Sequence, residues 1–463
     1  VPTPTRTPRS KPRGHIQSSS RSSPVVPRAS AMTDQDPARF LGDGVRSQQA
    51  NQGASQVWAE VTALSQLPGI LDLGQGWPDF GADMTAREEA SRALLDETDP
   101  RNNQYSMIPG RAELIKAIAR YYRATGSSNA VSADGANVLV TASGTEAVYA
   151  TMQATLSPGD ECVFLEPFFP WYISNSKIFG AKPVAVRMNV SDDAGVSRYE
   201  VNYEALEKAL SSPACKVLIH NSPHNPTGKV FTAQENERIA AMCVKHDVMC
   251  IADEVYERCT FDDDASDGTA EPFPRMMNAA GMAERTVTIG TASKLLALTG
   301  WRVGWITGPA AIVAGVKTMK SYTTFCAPTP LQLGVAAALN KISGEAEALG
   351  SNVVTSDEAA GAMATNVAVL SAALKDAGLK VIAPDGGYFL VTDVSATGLS
   401  AVEYCKRLAA EAKVASIPMV VFYDPGADGT GAPDTFVRFA VCKKPETVRA
   451  CAETIRANPV SNT

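Results

Sequence analysis

From about residue 137 the chain alternates short, almost wholly apolar runs with longer stretches of helical periodicity. The runs are NVLVT (137–141), ECVFL (161–165), KVLIH (216–220), VMCIA (248–252) and TVTIG (286–290). A strand that is apolar on both faces belongs in a sheet covered on both sides. Between the runs lie EAVYATMQATL (146–156) and TAQENERIAAMCVKHD (232–247), whose apolar residues recur every three or four positions. The alternation predicts an α/β fold with a mostly parallel sheet. Further on, EALGSNVVTSDEAAGAMATNVAVLSAALKDAG (347–378) predicts helices ahead of strands near KVIA (380–383) and GGYFLVTDV (386–394). The expected division is an N-terminal arm with part of a small domain (36–85), a large domain (86–340), and a C-terminal segment completing the small domain (341–463).

In such sheets ligands bind beyond the carboxyl ends of the strands, so the residues just after each run matter most. They are ASGTEA (142–147), EPFFPWY (166–172), NSPHNPTG (221–228), DEVY (253–256) and TASK (291–294). All are small, polar or aromatic, and together they predict one binding edge. PHNPTGKV (223–230) imitates a nucleotide P-loop, but Pro223 replaces the first glycine and Val230 comes after Lys229, so it can neither wrap a phosphate nor place a hydroxyl on Mg²⁺. SGTEA is not a dinucleotide-binding glycine pattern, and no G-x-S-x-G hydrolase elbow occurs.

Composition narrows the classes. The formal net charge of −7 argues against a nucleic-acid partner, and no apolar run is long enough to span a membrane. Nine scattered cysteines without C-x-x-C read as reduced thiols, and four histidines form no metal-ligand pattern, so no metal is expected. The first 35 residues differ from the rest: six Lys/Arg, six prolines, many serines and no acid before Asp34. Such a leader reads as an organellar transit peptide, for a plastid rather than a mitochondrion because the prolines oppose an amphipathic helix. The alternative is a disordered tail on a cytoplasmic protein.

Lys294 stands at the predicted binding edge among small and apolar residues, with Arg302 eight positions on. Burial lowers a lysine pKa and makes the amine a nucleophile toward carbonyls. Pyridoxal phosphate chemistry needs such a lysine, an acid facing the pyridine nitrogen and a phosphate cradle. Asp253 ends an apolar run and suits the acid. Ser143, Gly144 and Thr145 open a helix whose first N–H groups suit a phosphate, and Arg302 offers a planar fork for it. Arg438 lies in FVRFAV (436–441), apolar on both faces, where an unpaired charge is costly. Each residue taken singly has a plainer role: Asp253 as a helix cap, Asn225 as a turn former, Thr291 as a loop residue, Tyr256, Phe169, Trp58 and Phe325 as core aromatics.

GTASKLLALTGWRVGW (290–305) resembles the lysine signature of class I/II aminotransferases, pyridoxal phosphate enzymes of fold type I, with Thr291 where serine is commoner. SGTEA, NSPHNPTG, IADEVYE and FVRFAV occur in that family's order, and the resemblance covers about residues 55–460. LGQGWPDF, RNNQYSMIPG, EPFFPWY, GGYFLVTD and SIPMVVFYD are similar to the branch of kynurenine aminotransferase, glutamine transaminase K and cysteine-S-conjugate β-lyase. The resemblance implies a large domain with a mostly parallel seven-stranded sheet, a smaller α+β domain and a homodimer with shared active sites. It implies that Lys294 bonds the cofactor and moves the proton, that Asp253 pairs with the pyridine nitrogen, and that Asn225 and Tyr256 bond the ring's phenolic oxygen. Phe169 would stack on the ring. Ser143, Gly144, Thr145, Thr291 and Arg302 would hold the phosphate, with Tyr105 from the neighbouring subunit. Arg438 would hold the substrate carboxylate, with Asn225, Gly76, Trp58 and a partner-donated Phe325 on the substrate side.

The implied activity moves an amino group from an L-amino acid (aromatic, glutamine, methionine or kynurenine-like) to a 2-oxo acid. A β-lyase using the same site and a catalytically inactive binding protein are the alternatives. Dicarboxylate-specific relatives carry a second arginine shortly after the phosphate arginine; residues 308–332 contain lysines but no arginine. Cys326 stands where the kynurenine branch usually has histidine.

Overall fold

The computed structural model describes residues 53–127, 130–261, 272–348, 358–424 and 431–461. The transit leader expected over 1–35 and the start of the arm lie outside the described residues.

The five apolar runs become five neighbouring or near-neighbouring strands of one seven-stranded sheet. Its order is Val138–Thr141, Gly304–Thr307, Thr286–Thr291, Met249–Asp253, Cys215–Asn221, Glu161–Glu166, Lys182–Arg187. Gly304–Thr307 runs antiparallel to both its neighbours, and the other pairings are parallel. Period-two alternation sends successive side chains to two cores. Leu139, Ile289 and Ile306 pack with the helices Gly144–Thr155 and Ala310–Ser321. Val140, Val303 and Trp305 pack on the other side with Ala112–Ala124 and Thr329–Ala348. Local chemistry agrees with the pattern: Ala233–Lys245 begins with a capping box, Thr232 Oγ1 accepting from Glu235 N at 3.1 Å and Glu235 Oε2 accepting from Thr232 N at 2.9 Å.

A second, six-stranded sheet has the order Ile417–Pro418, Phe436–Ala440, Phe389–Asp393, Lys380–Ile382, Val196–Glu200, Asn189–Asp193. Its last two strands come from the middle of the segment expected to be the large domain, joined through the parallel pairing of Ile382 with Ser197. The expected boundary at 340/341 is crossed as well. The helix Thr329–Ala348 runs through it and packs on Met84–Leu95 and Ala112–Ala124. The second sheet therefore gathers strands from distant stretches of the chain, because strand pairing is decided by edges and not by chain order. The arm contributes the helix Gly53–Leu64, which packs on Ala401–Glu411 beside the second sheet. Among the described residues no helix is long and apolar enough to cross a membrane, and no group of three or more metal-ligating side chains occurs. No disulfide joins any of the nine cysteines.

Candidate active site

The carboxyl ends of the parallel strands open on a cavity of about 290 Å³. Its wall includes Trp58, Gly76, Ser143, Gly144, Thr145, Phe169, Asn225, Asp253, Tyr256, Thr291, Lys294, Arg302 and Arg438. A larger cleft of about 1120 Å³ shares none of these residues, and several of its charges pair with one another, as in Lys229–Glu235 at 2.8 Å.

Lys294 lies in the short helix Ala292–Leu295 that leaves the strand Thr286–Thr291. Its Nζ donates to the Gly76 carbonyl at 2.7 Å and sits 5.6 Å from the Tyr256 ring and 5.1 Å from that of Tyr388. Burial, reinforced by the charges of Arg438 and Arg302, pulls its pKa down to about 8, with Cys442 and Cys259 opposing. A substantial neutral fraction near physiological pH makes this amine a nucleophile and a base.

Asp253 is the last residue of Met249–Asp253, and a turn, not a helix, comes after it. Its Oδ2 accepts from the Tyr172 hydroxyl at 2.5 Å, while Oδ1 is buried without a hydrogen-bond partner among the described residues. Burial raises the carboxyl's pKa against the lowering effect of Tyr172. An orphaned buried carboxylate oxygen at a cavity wall fits a cationic N–H donor.

Opposite lies an anion cradle. Ser143 precedes the helix Gly144–Thr155 with φ 91° and no side-chain cap, so the first backbone N–H groups remain for a ligand. The strand Gly304–Thr307 passes so close that a Cβ at Gly304 would lie 2.5 Å from the Ser143 carbonyl carbon. Arg302 is exposed and left-handed (φ 55°), with one donor on Thr299 O at 2.9 Å. The Thr291 hydroxyl is already engaged, donating to Val303 O and accepting from Ser293 N. The neighbouring Ser293 Oγ is buried and unpartnered among the described residues, which makes it the freer hydroxyl.

Arg438 is buried, donating from Nη1 to Asn225 Oδ1 at 2.9 Å and from Nη2 to Gly74 O at 3.2 Å, with Nε unpartnered among the described residues. Its guanidinium carbon is 3.8 Å from the Phe389 ring centroid, 4.6 Å from Phe422 and 5.7 Å from Trp58. Burial pulls its pKa below the arginine range. Spare donors on a desolvated cation suit a carboxylate. Asn225 spends its oxygen on Arg438, leaving its amide hydrogens as donors. Gly76 is confined to glycine, since a Cβ there would meet Phe389 Cζ at 2.5 Å. Phe169 lies parallel to Trp171, 4.6 Å between centroids and 6° between planes.

Tyr105 and Phe325 do not reach this cavity. They form an edge-to-face pair, 5.8 Å between centroids, on the surface, where Tyr105 is 86% exposed. Sequence reasoning missed Tyr172, Ser293 and Phe389 at the wall. Tyr172 closes the EPFFPWY motif and Ser293 adjoins Lys294, but only the folded chain shows which hydroxyl is engaged.

A model of the family "Aminotransferase class I and II" matches residues 68–455. The chain belongs to that family. Kynurenine–oxoglutarate transaminase 3 of Rattus norvegicus is 33% identical to this aminotransferase over 429 residues, covering 86% of the chain and 87% of the relative. A probable N-succinyldiaminopimelate aminotransferase of Mycobacterium tuberculosis is 35% identical over 401 residues, covering 85% and 94%. The solved N-succinyldiaminopimelate aminotransferase of that organism superimposes with a TM-score of 0.76 at 33% identity, covering 87% of this chain and 96% of the other. YbdL from Escherichia coli, described as having a methionine aminotransferase function, gives 0.75 at 28% identity, covering 87% and 97%. The lyase and non-catalytic alternatives have no support from these relatives.

The aminotransferase uses pyridoxal 5′-phosphate, and the residues present fit it. The wall holds a lysine of lowered pKa, a buried carboxylate oxygen without a donor and an uncapped helix start beside Arg302.

Proposed function

We propose that the aminotransferase takes an L-amino acid donor with a neutral side chain, of the aromatic, methionine, glutamine or kynurenine kind, and a 2-oxo acid acceptor. One observation carries this. Apart from Lys294, Arg302 and Arg438, no cation among the described residues lines the cavity, and its remaining wall is rich in aromatics: Trp58, Phe169, Trp171 and Phe389. With those three cations serving the cofactor and the α-carboxylate, none is left for a side-chain carboxylate.

When bound, pyridoxal phosphate supplies the electron sink that makes the substrate Cα proton acidic. Asp253 Oδ1 would hold the proton of the ring nitrogen, and the Asn225 amide and Tyr256 hydroxyl would donate to the ring oxygen. The uncapped N–H groups at Gly144 and Thr145, with Ser293, Thr291 and Arg302, would take the phosphate. Arg438 binds the α-carboxylate of donor and acceptor alike. Lys294 Nζ takes and returns the Cα proton as general base and acid. Tyr105 and Phe325, outside their own cavity, serve the site of a second copy in a homodimer. The leader directs the protein to an organelle, the plastid first.

Half-reaction kinetics across a donor panel test the substrate reading. The expected order places phenylalanine, methionine, glutamine and kynurenine above aspartate and N-succinyl-diaminopimelate in kcat/KM. Faster turnover of either dicarboxylate would overturn it.

A further inference from the structure

The segment Asp253–Glu257 faces two ways. Asp253 and Tyr256 line the cavity, whereas Glu254 and Glu257 reach back to Arg275. Arg275 Nη1 lies 3.1 Å from Glu254 Oε2, and Nη2 pairs with Glu257 Oε2. Nη2 also donates to Thr125 Oγ1 at 3.1 Å, and the guanidinium carbon is 4.6 Å from the Tyr122 ring centroid. Glu254 is held from a second direction by Met276 N, 3.0 Å from Oε1. All three charged side chains are almost fully buried, at 1–3% exposure.

A cluster of this kind is a poor source of stability. The cost of taking charges out of water largely cancels their attraction, and apolar residues of similar volume often do as well. Its specific effect is geometric. Two carboxylates three residues apart, gripped by one planar guanidinium, fix the turn between them. Asp253 at the start of the turn is tied by Ser222 N and Asn221 Nδ2, which donate to its carbonyl, and by the Tyr172 hydroxyl, which donates to its side chain. Beyond it the backbone bonds are Glu254 N to Ile289 O, Glu257 N to Glu254 O and Cys259 N to Tyr256 O. None of the three charged residues touches the cavity, and the roles proposed above leave them unused.

We propose that Arg275 is a positioning residue for transamination: by gripping Glu254 and Glu257 it fixes the turn that aims Asp253 and Tyr256 at the cofactor. The proposal rests on the roles given to those two residues, so Asp253→Asn and Tyr256→Phe are the reference variants. The principal test replaces the whole cluster with apolar residues (Arg275→Met, Glu254→Leu and Glu257→Leu together), which leaves no unpaired buried charge. Glu254→Gln, which keeps size and a hydrogen bond, is the milder second variant. In the holoenzyme, the readouts are the pH dependence of visible absorption, pyridoxal phosphate affinity, kcat and KM in the half-reaction, and Tm.

In the triple variant the absorption midpoint is expected to move in the same sense as in Tyr256→Phe. Its kcat should fall about tenfold to a hundredfold, the scale of a displaced catalytic group, with donor KM little changed. Glu254→Gln should shift the same quantities less. Absorption, cofactor affinity and kcat at wild-type values in both variants, with only Tm altered, would reduce the cluster to a structural role. Reference variants that leave the absorption unmoved would instead bring down the roles of Asp253 and Tyr256, and the proposal with them.

Discussion

Lys294 and Arg438 are both buried cations, but they serve the site in different ways. The folded pKa of Lys294 is about 8 against an ordinary value of 10.5. Below pH 8 both the folded and the unfolded chain hold the proton, so the cost of burying the charge is fully present. Between pH 8 and 10.5 the folded chain releases it first, binds fewer protons than the unfolded one, and gains stability as pH rises. The shift corresponds to at most about 3 kcal/mol. Apoprotein carrying Lys294→Met should therefore melt above wild-type apoprotein at pH 7, and the gap should close by pH 10; thermal melts across that range measure it. The value of Arg438 lies in the fork of its guanidinium, which donates to Asn225 Oδ1 and Gly74 O at once. Arg438→Lys retains a cation but cannot donate at once to Asn225, Gly74 O and a carboxylate. Its kcat/KM should fall by roughly 2–4 kcal/mol for every amino acid and oxo acid, with pyridoxal phosphate content unchanged. An amine lacking the carboxylate should be little affected, and half-reaction kinetics with a matched amino acid and amine separate the two.

At the scale of elements, the site depends on a strand passing behind a helix start. Gly304 lets the antiparallel strand Gly304–Thr307 lie against Ser143 and Gly144, where a Cβ would meet backbone atoms at 2.5 and 2.7 Å. Backbone cannot give way as a flexible side chain can. Gly304→Ala should cost about 1–3 kcal/mol in stability and push the uncapped N–H groups out of line. Pyridoxal phosphate retention on gel filtration should drop accordingly while Lys294 stays reactive. The parallel strands and the helices between them were legible in sequence because each is a continuous apolar run ended by turn residues, as in VMCIA before Asp253. The strands Asn189–Asp193 and Val196–Glu200 were not: their burial patterns are largely exposed or alternating, and nothing local says which sheet edge they will join. The same limit applies at the site. Lys294, Asp253 and Arg438 are conspicuous as costly residues in apolar runs, whereas Ser293 and Tyr172 gain meaning only from partners distant in sequence or from the want of one.

For the whole molecule, the surface pair of Tyr105 and Phe325 gives the proposed homodimer a functional test. Tyr105→Ala and Lys294→Ala proteins, each inactive alone, should regain activity when unfolded and refolded together. A mixed dimer then holds one site built wholly from native residues, so an equimolar mixture should reach roughly a quarter of wild-type turnover. Self-contained sites would give no recovery. The second sheet also bears on how the chain is made. The edge of Val196–Glu200 that receives Ile382 is finished long before Lys380–Ile382 leaves the ribosome, and Phe436–Ala440 comes later still. Throughout that interval the nascent protein carries an open hairpin edge able to pair with any extended segment nearby. Faithful synthesis therefore depends on keeping that edge covered until translation is nearly over, and a ribosome that stalls before residue 380 leaves a product whose natural aggregation point is already defined.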